Sequence, residues 1–146
     1  MDDEYTVYTG GFSAKGMKAA SNSTASAGAP DMTREEGSLT ADTAAKKTGG
    51  ILYTTNMIDL TPYKTLVFEG EFTRGGSVER NFTVCAWSGL DSYYTSNLLA
   101  YTQPSKSSFT SVEVDISGVN MQAYVGLGLT QSTAKITRAY LIPKDV

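Results

Sequence analysis

Apolar and polar residues alternate with a period of two along much of this chain. The last third is clearest: Val112–Ile116, Ala123–Leu129 and Lys135–Ile142 predict three short strands, the last tying the chain end into a sheet. In Ala123–Leu129, Ala123, Val125, Leu127 and Leu129 fall on one face and Tyr124, Gly126 and Gly128 on the other. Thr65–Phe72 places Leu66, Phe68 and Phe72 opposite Val67, Glu69 and Glu71. Asn81–Trp87 sets Phe82, Val84 and Ala86 against Thr83, Cys85 and Trp87, and Arg74-Gly75-Gly76-Ser77 predicts a hairpin joining these two strands. Tyr5–Tyr8, Ile51–Thr55 and Leu98–Thr102 predict shorter strands. Gly37–Lys47 predicts another, although its Ala-rich half tolerates a helix. Apolar residues in Phe12–Ala20 are too sparse to assign. Asp59-Leu60-Thr61-Pro62 predicts a tight or helical turn capped by Asp59.

The expectation is an all-β fold: a two-sheet antiparallel β-sandwich with jelly-roll topology and eight or nine strands, at spacings of about ten residues. Residues 1–4 are expected to form a disordered tail and residues 5–146 a single β-sandwich domain, with Ser21–Pro30 as an exposed loop folded over it.

Composition narrows the function classes. The charged fraction of 18% is low, and nine Tyr dominate an aromatic set with five Phe and one Trp. Tyrosine carries an apolar body and a wet tip, which suits binding surfaces and core edges alike. Net charge is −3 and the basic residues are scattered, so a nucleic-acid partner is not expected. No apolar run approaches the ~20 residues of a membrane helix, so membrane insertion is not expected. The acidic Met1-Asp-Asp-Glu4 start lacks the basic region of a signal peptide. The single cysteine, Cys85, allows no intrachain disulfide and fits synthesis in a reducing cytosol. Histidine is absent, which excludes Ser-His-Asp and Cys-His centres and histidine-based zinc sites.

Paired carboxylates are the one remaining enzymatic option. Glu69 and Glu71 share a strand face, as do Glu113 and Asp115. Such i, i+2 pairs lie ~6–7 Å apart, within reach of glycosidase spacing. The outer face of an antiparallel strand is the ordinary home of such charges, so no enzyme and no catalytic residues are expected. No cofactor is expected beyond a structural calcium ion in a loop, for which Asp31, Asp42, Asp59 and Asp91 are candidates without ligand-like clustering.

Strand parity does outline a binding face. Trp87 and Tyr124 point away from the core, and Gly126 and Gly128 follow on the same side as bare backbone. Aromatic rings beside a flat floor suit sugars, with Thr83, Glu69 and Glu71 as hydroxyl partners and Tyr93, Tyr94 and Tyr101 as a wall. A lone Trp in a sandwich is more often packed in the core or beneath a loop than exposed.

Three segments resemble a known family: Gly10–Ala19, Tyr53–Leu66, and Ala123–Leu129 followed by Ala134–Ile142. They are similar to jelly-roll modules in tail and other structural proteins of phages and prophages of gut bacteria, which in turn resemble carbohydrate-binding modules. Phe12 departs from the pattern, standing where the family has Trp. The resemblance implies a non-catalytic binding or adhesion module in the virion, made in the bacterial cytoplasm. Its implied partners are a glycan or bacterial surface receptor and other virion proteins, with assembly as a trimer. A purely structural or decorating virion protein with no small ligand is the alternative; a glycoside hydrolase is the remote one.

Overall fold

The computed structural model describes residues 5–9, 17–21, 29–45, 49–76, 78–90 and 97–145. Among these are twelve strands: β1 (Tyr5–Thr9), β2 (Met17–Ser21), β3 (Asp31–Glu35), β4 (Ser38–Asp42), β5 (Gly50–Thr54), β6 (Ile58–Asp59), β7 (Tyr63–Thr73), β8 (Phe82–Trp87), β9 (Leu98–Thr102), β10 (Ser108–Asp115), β11 (Gln122–Leu129) and β12 (Thr133–Pro143). They form two antiparallel sheets. The first runs β10-β7-β12-β4-β3 with β1 also on β12; the second runs β2-β5-β11-β8-β9 with β6 also on β11.

The expected all-β sandwich is what the chain forms, and the strand count resolves simply. Eight strands give the orders β4-β12-β7-β10 and β5-β11-β8-β9, the paired Greek keys of a jelly roll. The other four, β1, β2, β3 and β6, are short additions of two to five residues held at the sheets' margins. Their sequences alternate weakly because backbone pairing, rather than a buried face, defines them.

The core lies between the sheets and includes Leu66, Phe68, Phe72, Phe82, Val125, Leu127, Ile136 and Leu141, all at most 2% exposed. Phe82 and Phe109 meet edge-on at 4.9 Å, and Phe72 lies 5.6 Å from Phe82, so aromatic rings join the sheets directly. Burying each such side chain contributes about 1.5–3 kcal/mol.

The expected hairpin between the Thr65–Phe72 and Asn81–Trp87 strands is corrected. Both edges of β7 are taken, by β10 and β12, and β8 lies in the opposite sheet between β11 and β9. The Arg74–Asn81 connection therefore crosses between sheets, ending in a short 3-10 turn at Glu79–Asn81.

Two Asx turns close one end of the sandwich in the same way. Thr61 donates its backbone N–H (3.1 Å) and hydroxyl (2.6 Å) to Asp59 Oδ1. Ser117 does the same to Asp115 Oδ1, at 2.8 and 2.6 Å. The residue after each aspartate, Leu60 or Ile116, plunges fully into the core. These hydrogen bonds, the side-chain ones foremost, hold both carboxyls below the ordinary aspartate value of 3.8. A lowered folded-state value means the stabilisation is present above the unfolded value and is lost as pH falls through the folded one. We expect the unfolding free energy of the wild type to drop more steeply between about pH 4 and pH 2 than that of an Asp59→Asn/Asp115→Asn variant. Urea titrations across that range measure the two slopes; equal slopes refute the role of the carboxylates.

Gly126 fixes how β11 sits between β5 and β8. A Cβ there would lie 1.8 Å from the Leu52 carbonyl oxygen and 2.9 Å from Tyr53 Cα, both backbone atoms of β5. Gly126→Ala is expected to lose about 3 kcal/mol or more, since only parting the strands relieves the clash. Gly118, with nothing within 4 Å of its Cβ position, serves as the tolerant control. Equilibrium unfolding of the two alanine variants makes the comparison.

Candidate functional site

The outer face of the second sheet is set by register. One rung runs Lys18–Tyr53–Gly126–Cys85–Tyr101, each residue the Cα partner of the next. A second runs Tyr124–Trp87–Leu98. A third runs Ala20–Ile51–Gly128–Thr83. Directly paired residues share a face, so parity put Trp87, Tyr124 and Thr83 on the correct side, and Tyr101, expected as part of a wall, stands on the same side on β9.

Exposure is where that expectation fails. Trp87 is 1% exposed, as is Thr83, and neither presents a surface to a ligand. Gly126 and Gly128 are buried too, so the predicted bare backbone floor is absent. The cause is a second apolar layer on this face. Ile51, Cys85 and Trp87 form its centre, with Ala20, Tyr53, Leu90, Leu98 and Tyr124 packed against them. Beyond β8, Ser88 donates its N–H to the Asn97 carbonyl at 2.8 Å, and Leu90 and Leu98 on either side pack against this centre. Burial pushes the Cys85 thiol far above its usual range, against a smaller effect from a hydrogen bond with Gly128. A thiol held protonated in this way is packing material rather than a nucleophile.

Tyrosines form the part of this face that reaches solvent. Tyr53 and Tyr124 are partly buried and meet edge to face, with ring centroids 6.2 Å apart and planes at 88°. Tyr101, across the sheet, is 55% exposed. Tyr93 and Tyr94 lie outside the described residues. Sequence reasoning missed Tyr53 as a site residue, although the alternation of Ile51 and Tyr53 with Leu52 and Thr54 carried the signal. It missed Lys18 because the surrounding segment has too few apolar residues to show a period.

Glu69 and Glu71 are not part of this face. Both lie on β7, on the outer side of the opposite sheet, and they are engaged there. Tyr140 donates its hydroxyl to Glu69 Oε2 at 3.0 Å, and Arg138 stands 3.9 Å from Glu69 Oε1 with its guanidinium 4.1 Å above the Tyr140 ring. Lys135 pairs with Glu71 at 3.6 Å. Of the second carboxylate pair, Asp115 is committed to its Asx turn. Exposed pairs of this kind contribute at most about 1 kcal/mol each. Among the described residues no three metal-ligating side chains come together. Asp42 accepts from the Ala44 N–H (2.8 Å) and the Thr133 hydroxyl (3.2 Å), and Asp59 caps its turn. Asp91 lies outside the described residues.

Charge is sparse on the second sheet. The strands β2, β5, β11, β8 and β9 contain a single charged residue, Lys18, and no carboxylate, while the two-residue β6 adds Asp59 opposite Gln122. Lys18 is exposed, while its neighbour Met17 is buried in the core.

No protein-family model matches the sequence, and no curated protein matches it. Its fold is similar to that of solved carbohydrate-binding modules. The xylan-binding module CBM86 from the gut symbiont Roseburia intestinalis aligns at a TM-score of 0.55 and 13% identity, over 88% of this chain and 96% of that one. A fucose-binding module of Streptococcus pneumoniae aligns at a TM-score of 0.53 and 14% identity, over 99% of both chains. At such identity the likeness is one of fold alone.

Proposed function

We propose that this chain is a non-catalytic glycan-binding module whose ligand rests on the outer face of the second sheet. The observation that carries the reading is the Tyr53–Tyr124 pair: two partly open rings, set edge to face, on strands that contain no carboxylate. Sugar rings present apolar C–H faces that lie against aromatic rings, while phenolic hydroxyls hydrogen-bond the sugar oxygens. Tyr101, three strand spacings from Tyr53 or about 14 Å away, is placed to touch the far part of a longer oligosaccharide. The fold's similarity to modules described as binding xylan and fucose supports the same reading. A finer setting, adhesion to a bacterial surface from a phage tail, draws its support from the sequence resemblance to phage and prophage structural modules.

Screening the protein on a glycan array, then titrating the best ligand calorimetrically, tests the proposal. Binding is expected in the micromolar to millimolar range, about −8 to −4 kcal/mol. Tyr53→Ala and Tyr124→Ala are each expected to weaken it about tenfold, or 1.4 kcal/mol. Unchanged affinity in both variants removes the site; an array without a bound glycan removes the function. Trp87→Ala should act differently, lowering stability by about 3–5 kcal/mol through the cavity it leaves. Thermal unfolding separates that effect from a loss of contact with sugar.

A further inference from the structure

Lys18 is the one charge on the strands that carry the tyrosine face, and it stands directly beside the proposed stacking ring. It is the Cα partner of Tyr53, and Tyr53 in turn meets Tyr124. Lys18 is exposed and makes no hydrogen bond or ion pair among the described residues. A second cation borders the same strand. Arg34, on the inward side of edge strand β3, reaches across the open edge of the sandwich, and its Nη2 lies 3.5 Å from the Met17 carbonyl. Its strand neighbours Asp31 and Glu35 alternate to the other side, away from Met32, which packs on the core. Arg34 thus lies on the inward side, and Lys18 is the charge that β2 presents on the face of the tyrosines.

We propose that this corner selects an acidic glycan: the sugar ring packs on Tyr53 and Tyr124, and a uronic acid carboxylate meets the Lys18 ammonium. The inference rests on the glycan-binding reading above and adds the ligand's charge class to it. A neutral glycan gains from Lys18 at most a hydrogen bond to a hydroxyl, whereas a carboxylate gains an ion pair; the described acid of this sheet, Asp59, lies away from Lys18 on β6, opposite Gln122. Acids on the opposite sheet, such as Glu69 and Glu71, are already neutralised by Arg138 and Lys135.

The test compares matched pairs of oligosaccharides that differ only in one carboxylate: glucan with glucuronan, galactan with galacturonan, and xylan with and without glucuronic acid branches. The acidic member is expected to bind about three- to fivefold more tightly at low salt, as an exposed ion pair allows. The preference should shrink at about 0.5 M NaCl, where screening is strong. Lys18→Gln should bring the acidic member down to the affinity of its neutral partner, and Lys18→Arg should restore the gap. Equal or better binding of the neutral members, still lost in Tyr124→Ala, overturns the charge preference and leaves the glycan site standing. An acid preference that survives in Lys18→Gln also overturns it, because the charge then acts elsewhere. Failure of every pair to bind overturns both the preference and the site.

Discussion

The register of β11 between β5 and β8 is the constraint on which the proposed site depends. Gly126 sits so close to the Leu52 carbonyl that no side chain fits between the two backbones. That approach locks Tyr53 opposite Gly126 and Tyr124 opposite Trp87. Side chains in a strand alternate strictly, so a slip of one residue would send Tyr124 into the core and Val125 outward. The hydrophobic core opposes such a slip from one side, and the backbone contact at Gly126 opposes it from the other. The same register carries over through β5 to β2, which is how Lys18 comes to stand beside Tyr53. A similar device operates in the first sheet. Gly70, at φ +154, occupies a point where a Cβ would lie 1.9 Å from the Lys135 carbonyl oxygen, next to the bulge that shifts β12 on β7.

The side each residue faces was legible in the sequence; what covers it was not. Alternation correctly put Phe82, Val84 and Ala86 inward and Thr83, Cys85 and Trp87 outward, because a period of two is a property of the strand itself. Whether an outward residue meets water depends on segments distant in sequence. Leu90 and Leu98 pack against the Trp87 cluster from the two ends of a Tyr-rich connection whose sequence does not show which face it meets. Six consecutive buried residues in β8 are the outcome, although the sequence pattern alone resembles a half-exposed strand. Sheet membership was hidden for a related reason. A Gly-Gly step after Thr73 is compatible with a hairpin and with a crossing between sheets. The choice falls to β10 and β12, which lie far along the chain and claim both edges of β7.

The separation of charge between the sheets follows from the same architecture. Glu69, Glu71, Lys135 and Arg138 belong to strands whose outer faces stay open, so they are solvated and paired with one another. The second sheet bears an apolar layer on its outer face, and a carboxylate there would lose hydration without a partner. Only the margins of that layer tolerate polar groups. There the tyrosines turn their hydroxyl-bearing rings outward, and Lys18 on edge strand β2 keeps its ammonium in water. The edge placement that made Lys18 inconspicuous in the sequence is what lets it remain charged beside an aromatic pair.

Burial of Trp87 strengthens the case for a site at Tyr124. A free tyrosine on a sheet surface samples several rotamers, and a ligand that stacks on it must fix one. Holding a rotamer-rich side chain at an interface costs roughly 0.5–1.5 kcal/mol, comparable to the whole gain from one aromatic contact. Tyr124 packs against the cluster that includes its cross-strand partner Trp87 and meets Tyr53 edge-on, so much of that ordering is already complete in the folded protein. The residue first expected to touch the ligand thus serves it indirectly. Trp87 packs beside the ring proposed to bind, and its burial is what gives that ring a fixed neighbour.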